Sequence, residues 1–162
     1  MLARRDAMRA GGGLLALLVG DVCISSSRAA EAFEVSKTDA AWRRQLTASQ
    51  YAVLRRNGTE QPYSSPLLAE HRRGTFTCAG CDRPAFSSTT KFESGTGWPS
   101  FWAPLEGAIA TESDQSLGMA RTAVHCAGCG GHLGHVFDDG PQPTGLRYCM
   151  NGVALGFRPD RA

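Results

Sequence analysis

The sequence predicts a mainly β fold of antiparallel sheets, entered through two short helices. Three observations carry that expectation. Beyond Pro66 the chain breaks into short β-type runs separated by glycine and proline, the punctuation of antiparallel strands. The 19 glycines gather around Gly130-Gly131 and the two Cys-x-x-Cys pairs, as turns and bulges do, rather than in low-complexity tracts. Residues 36–58, by contrast, carry helix caps and apolar positions at helical spacing. A chain of 162 residues is one domain of ordinary size, with a core that needs no disulfide scaffold.

Residues 1–32 read as a leader, and residues 33–162 as the domain. Arg4, Arg5 and Arg9 make a basic start, Leu14 to Val19 a short apolar run, and small residues follow to Ala29, Ala30 and Ala32, the candidate cleavage points. Crossing a bilayer takes roughly 20 apolar residues, so the stretch does not read as a membrane anchor. Paired arginines before a weakly apolar, glycine-containing run resemble a twin-arginine export signal. That predicts a periplasmic or otherwise exported protein, with the cytoplasm as the alternative. Asp21 inside the apolar region departs from the pattern, and Val22-Cys23 lacks the small residue expected before a lipoprotein cysteine.

The elements follow in order. Ser36 to Asp39 has capping-box-like spacing ahead of Ala40, Ala41, Trp42 and Leu46; Thr47 to Gln50 is a fuller capping box, followed by Tyr51, Val53 and Leu54 and closed by Asn57-Gly58. The β-type runs are Gly74 to Cys78, Pro84 to Ser88, Ala108 to Ser113, Arg121 to Cys126, Leu133 to Asp138, Arg147 to Asn151 and Val153 to Phe157. A net charge of only +2, without a long run of like charge, excludes nucleic acid as an obvious partner.

Four of the six cysteines form two identical tetrapeptides, Cys78-Ala79-Gly80-Cys81 and Cys126-Ala127-Gly128-Cys129. Two such turns are the usual way to present four thiolates tetrahedrally to zinc, and a site with no open position is structural. The glycine in each pair is expected to permit the tight turn. Redox-active pairs or two structural disulfides are the alternatives. His125 adjoins Cys126, but four cysteines already fill such a site; His71, between Glu70 and Arg72, reads as a surface residue.

Cys149 is the odd thiol of the domain. If its run is a strand, Arg147, Cys149 and Asn151 share one face, while Tyr148 and Met150 take the other. A fixed positive charge beside a thiol is expected to lower its pKa and raise the thiolate fraction. Trp98, held between Gly97 and Pro99, is placed to offer an indole face as a recognition wall, with core packing as the alternative. His132 and His135 would face opposite ways in a regular strand, but Gly134 is well placed for a bulge that turns both imidazoles to one side, as acid catalysts for the thiol.

Four motifs in order carry a resemblance: the two CAGC pairs, GTGWPSF at 95–101, HCAGCGGHLGHVFDDGP at 125–141 and RYCMNG at 147–152. Over roughly residues 38–158 the chain resembles the type B methionine sulfoxide reductases. The resemblance implies two antiparallel β-sheets in a β-tent-like arrangement with short N-terminal helices, and one structural zinc on Cys78, Cys81, Cys126 and Cys129, opposite the active site. It implies reduction of methionine-R-sulfoxide, preferably in oxidised proteins, by a monomer served by an external thiol, whether thioredoxin-like, glutaredoxin-like or small. Cys149 would be the nucleophile, Trp98 and Phe137 the substrate-binding wall, His132 and His135 the groups that bind and protonate the sulfoxide oxygen, and Arg147, Asn151 and Asp139 supporting groups. One position departs from many relatives, since Thr96 stands where they carry a resolving cysteine. Two rivals remain: a zinc-ribbon-like binding module, and a thiol-disulfide oxidoreductase working through the CAGC pairs.

Overall fold

Thr38 and Thr47 start the two helices. The structure, a computed structural model, describes residues 33–161; the expected leader, with Cys23, lies outside the described residues. Helix α1 spans Asp39–Gln45, and its cap is Thr38 rather than Ser36, because the Thr38 hydroxyl accepts from the Ala41 N–H at 3.2 Å and leaves Asp39 in the first turn, facing the positive end of the helix dipole. Helix α2 spans Ala48–Arg56 behind a complete capping box: Thr47 Oγ1 accepts from Gln50 N–H, and the Gln50 side chain accepts from Thr47 N–H. It ends at Asn57, which adopts the left-handed conformation at φ 54°.

Nine strands follow: β1 Gly74–Cys78, β2 Pro84–Ser87, β3 Lys91–Phe92, β4 Ser100–Phe101, β5 Ile109–Asp114, β6 Arg121–Cys126, β7 His132–Phe137, β8 Arg147–Met150 and β9 Leu155–Pro159. They form two antiparallel sheets, ordered β2-β1-β9 and β3-β4-β8-β7-β6-β5. Several expected boundaries move by one or two residues, and those around Asn151 bear on the site. Residues Gly152 to Ala154 make a 3-10 turn, so the last strand begins at Leu155 rather than Val153, and Asn151 is the cap of that turn rather than a strand residue beside Cys149. The two-residue strands β3 and β4 were not expected.

The core lies where the sheets meet. Phe76 of β1 and Phe86 of β2 are wholly buried against Phe101 of β4, with Phe86 stacked on Phe101 at 4.4 Å and Phe76 edge-on to it at 4.9 Å. Burying each such ring is worth about 1.5–3 kcal/mol. The alternation in β8 holds: Met150 is buried and Tyr148 packs on Phe86, leaving Cys149 for the other face.

Sheet pairing also explains the histidines. On β7 Gly134 lies opposite Val124 and His132 opposite His125, so Leu133 is the extra residue of a bulge next to the glycine the sequence singles out. A Cβ on Gly134 would stand 2.1 Å from the Cys149 carbonyl oxygen, so glycine lets β7 and β8 approach there.

The two CAGC turns share one backbone device, and it is not the internal glycine. Gly80 and Gly128 lie outside the left-handed region, whereas the residue after each second cysteine, Asp82 or Gly130, sits at φ 66°. From there Asp82 donates to the Cys78 carbonyl at 2.7 Å and Gly130 to the Cys126 carbonyl at 2.8 Å. The turn therefore closes one residue later than expected. Side chains of the helices cover this corner: Gln45 donates to the Gly80 carbonyl, and Arg55 to the Cys129 carbonyl. Among the described residues no helix is long and apolar enough to cross a membrane.

Candidate active site

The site is built outward from β8. Cys149 lies opposite Ser100 of β4 on one side and His135 of β7 on the other, so antiparallel register alone sets an imidazole beside the thiol. Around them is a cavity of about 120 Å³ lined by Thr59, Trp98, Arg121, Gly134, His135, Phe137, Cys149 and Asn151. Trp98, Phe137 and Asn151 thus reach the thiol cavity as expected.

Arg147 and Asp139 do not line the cavity, though Arg147 packs on Phe137, which does. Their side chains make a two-pronged ion pair, Nε to Oδ1 and Nη2 to Oδ2 at 2.8 Å each, and the guanidinium lies 4.4 Å over the Phe137 ring. The Arg147 hydrogen bonds hold the Asp139 carboxyl below its usual range.

The thiol itself departs from expectation. Burial pushes the Cys149 pKa up, and the lowering influences of Thr96 and then Arg147 do not outweigh it. The arginine is committed to Asp139, which blunts its pull on sulfur. Thr96 Oγ1 lies 3.8 Å from the sulfur, at the end of a hydroxyl chain that runs through Ser94 to Ser100.

The two histidines separate in role. Only His135 lines the thiol cavity; His132 sits behind it, with ring centres 5.2 Å apart, and both line a second, polar cavity of about 520 Å³. His132 is buried with neither ring nitrogen hydrogen-bonded, and burial draws its pKa down to about 4, so it is neutral at physiological pH. His135 Nε2 meets Asp114 Oδ2 at 2.8 Å.

Asp114 was not anticipated, nor were Arg121 and Glu60. Asp114 and Arg121 end adjacent strands as direct cross-strand partners, a relation that a hairpin pairing of those two β-runs would have exposed. Glu60 offered no such signal, yet it ties the site together. Its carbonyl accepts from Trp98 Nε1 at 3.2 Å, its N–H donates to Asn151 Oδ1 at 2.9 Å, and its carboxylate accepts from the N–H groups of Gly152 and Val153.

Away from this cavity, the four other described cysteines are free thiols whose sulfur atoms all lie within 4.8 Å of one another, close enough to hold a metal ion. Contacts across the two turns are 3.7 Å for Cys78–Cys129 and 3.5 Å for Cys81–Cys126. Hydrogen bonds to Cys126 and Cys129 push the Cys78 thiol far up, while Cys129 and Cys78 together hold Cys126 well below the usual thiol range. His125 takes no part: Nδ1 is 3.3 Å from the Gly130 carbonyl and Nε2 3.8 Å from Glu112.

A β fold with a four-thiol corner and a separate cavity pairing one thiol with an imidazole defines a scaffold for sulfur oxidation and reduction. The SelR domain model matches residues 46–159. Proteins named peptide methionine sulfoxide reductase MsrB are similar across nearly their whole length. That of Agrobacterium fabrum is 53% identical over 127 residues, 78% of this chain and 94% of the relative. That of Leptospira interrogans is 50% identical over 129 residues, 79% and 98%, and that of Bradyrhizobium diazoefficiens 54% over 127 residues, 78% and 91%. The chain belongs to the SelR-domain family, the type B methionine sulfoxide reductases, and is an oxidoreductase acting on a sulfur group.

Proposed function

We propose that this protein reduces methionine-R-sulfoxide, preferably within oxidised proteins, through a sulfenic acid on Cys149. The placement of Cys149 and His135 opposite one another in a cavity walled by Trp98 carries the reading. The Cys149 thiolate attacks the sulfoxide sulfur while His135 gives a proton to the oxygen, which leaves poorly unless protonated. The transient S–S bond and the substrate S–O bond then break as the hydroxyl passes to the Cys149 sulfur. Substrate sulfur is reduced by two electrons to the thioether, and the oxygen, now a hydroxyl, ends on Cys149 as sulfenic acid. Trp98 and Phe137 form the wall for the methyl group, and Asn151 borders the same cavity. Arg147, fixed by Asp139, supplies a positive charge near the thiol, and His132, neutral behind His135, borders the adjoining polar cavity.

An external thiol, thioredoxin-like, glutaredoxin-like or small, then attacks the sulfenic acid and releases water; a second thiol frees Cys149 as a disulfide forms between the two. Four thiolates at Cys78, Cys81, Cys126 and Cys129 would hold zinc in a structural role. Bonds of about 2.3 Å in a tetrahedron set the sulfur atoms about 3.8 Å apart, near the 3.7 and 3.5 Å across the corner. Residues 1–32 would direct export to the periplasm, on the strength of Arg4-Arg5 and the short apolar run.

The test is epimer-resolved turnover of a dabsylated methionine sulfoxide. Wild type should consume the R epimer alone, and Cys149→Ser should lose activity while keeping its circular dichroism. Turnover by Cys149→Ser would move the chemistry elsewhere.

A further inference from the structure

We propose that Asp114 is a positioning residue that fixes the tautomer of His135 and aims its Nδ1 at the sulfoxide oxygen. This rests on the acid role given to His135 above and specifies how the ring must act.

Asp114 closes β5, directly across from Arg121 at the start of β6, two residues along β6 from Ala123, which lies opposite His135 of β7. Its carboxylate is held from three directions. Oδ2 accepts from Arg121 Nη2 at 2.6 Å and from His135 Nε2 at 2.8 Å, while Oδ1 accepts from the Ser116 N–H at 2.8 Å. Arg121 Nη2 also donates to Ser116 Oγ at 3.0 Å, which locks the turn beyond β5 to the start of β6. Hydrogen bonds from Ser116, the largest influence, and from His135 hold the carboxyl far below the usual carboxylate range. Asp114 therefore stays ionised, and an ionised carboxylate only accepts.

The consequence for His135 is a single allowed arrangement. Nε2 must carry hydrogen, so the neutral ring leaves Nδ1 as a bare acceptor. Nδ1 makes no hydrogen bond among the described residues, and the ring forms part of the thiol cavity wall. From His135 a proton can then reach the sulfoxide through Nδ1–H of the imidazolium, whose positive charge faces the Asp114 carboxylate. Transfer leaves the neutral Nε2–H ring in place, without a ring flip, and Nδ1 regains a proton from solvent once the product has left the thiol cavity. His132 does not compete for the carboxylate, since both of its nitrogens are unpartnered.

The experiment has three arms on the full-length, metal-replete protein. ¹⁵N NMR of the His135 ring in wild type should show the Nε2–H tautomer in the neutral form; an Nδ1–H tautomer overturns the proposal without any variant. Asp114→Asn should mix the tautomers and lower the single-turnover rate by tenfold or more, within the about 10²–10⁴-fold that a positioned acid contributes, with KM changed less than about twofold. Asp114→Glu should restore part of that rate. In a His135→Ala background Asp114→Asn should add nothing, because its effect passes through the ring; an equal loss there would make Asp114 merely structural and sink the proposal. A wild-type single-turnover rate in His135→Ala would remove the acid role itself, a failure distinct from a wrong tautomer.

Discussion

Cys149 stands between opposed influences: burial favours the thiol, while the Thr96 hydroxyl and the Arg147 guanidinium favour the thiolate, and burial prevails. Alkylation of the resting enzyme by iodoacetamide should accordingly rise at a higher pH than for an ordinary cysteine, since only the thiolate reacts. Arg147→Ala should move that rise higher still, and a midpoint below the ordinary thiol range would contradict the burial argument. Thr96 sets a second expectation. With a hydroxyl 3.8 Å from the sulfur, one turnover without reductant should leave Cys149 as a sulfenic acid that dimedone traps. Thr96→Cys should instead lose two hydrogens, by mass spectrometry, as the introduced thiol closes a disulfide with Cys149. A disulfide from Cys149 to a corner cysteine in the unsubstituted protein would defeat the single-thiol cycle.

At the scale of elements, the segment between α2 and the 3-10 helix at Pro66–Ala69 does more than connect them. Glu60 grips Trp98, Asn151 and the turn after β8, and Tyr63 donates its N–H to the Gly97 carbonyl at 2.7 Å. A Cβ on Gly97 would meet Pro62 at 2.7 Å, so the indole loop is pressed against this segment. Glu60→Gln should keep both backbone bonds but weaken the carboxylate cap, raising KM severalfold through a loosened Trp98 wall. Unchanged kinetics and an unchanged Trp98 emission spectrum would show that the cap is dispensable. Local chemistry made α2 legible beforehand, because Thr47, Gln50 and Asn57 act within a few residues of one another. Strands β3 and β4 were not, since two residues become a strand only through partners such as Tyr148 and Cys149, far along the chain. The pairing of Asp114 with His135 was hidden for the same reason. Cys149, the CAGC pairs and the Gly134 bulge were legible because each leaves its mark in adjacent residues.

Across the whole molecule, the four-thiol corner joins the sheets: Cys78 ends a strand of the three-stranded sheet and Cys126 a strand of the six-stranded one. Structural zinc sites carry an apparent binding energy of about 10–16 kcal/mol, against about 5–15 kcal/mol for the stability of a whole domain. Changing any one of Cys78, Cys81, Cys126 or Cys129 to Ser should therefore lower zinc content and Tm together. A zinc-free variant melting like wild type would contradict the structural role. The burial of Cys149 has a bearing on survival as well. Peroxide attacks thiolates, and on the function proposed above the enzyme would meet oxidants of that kind where it works. A sulfur that burial biases toward the thiol is a poorer target for that oxidant than a thiolate. On the same reading, the idle enzyme would be shielded from the oxidant whose damage it reverses, and would be vulnerable chiefly after each turnover, while Cys149 carried the sulfenic acid.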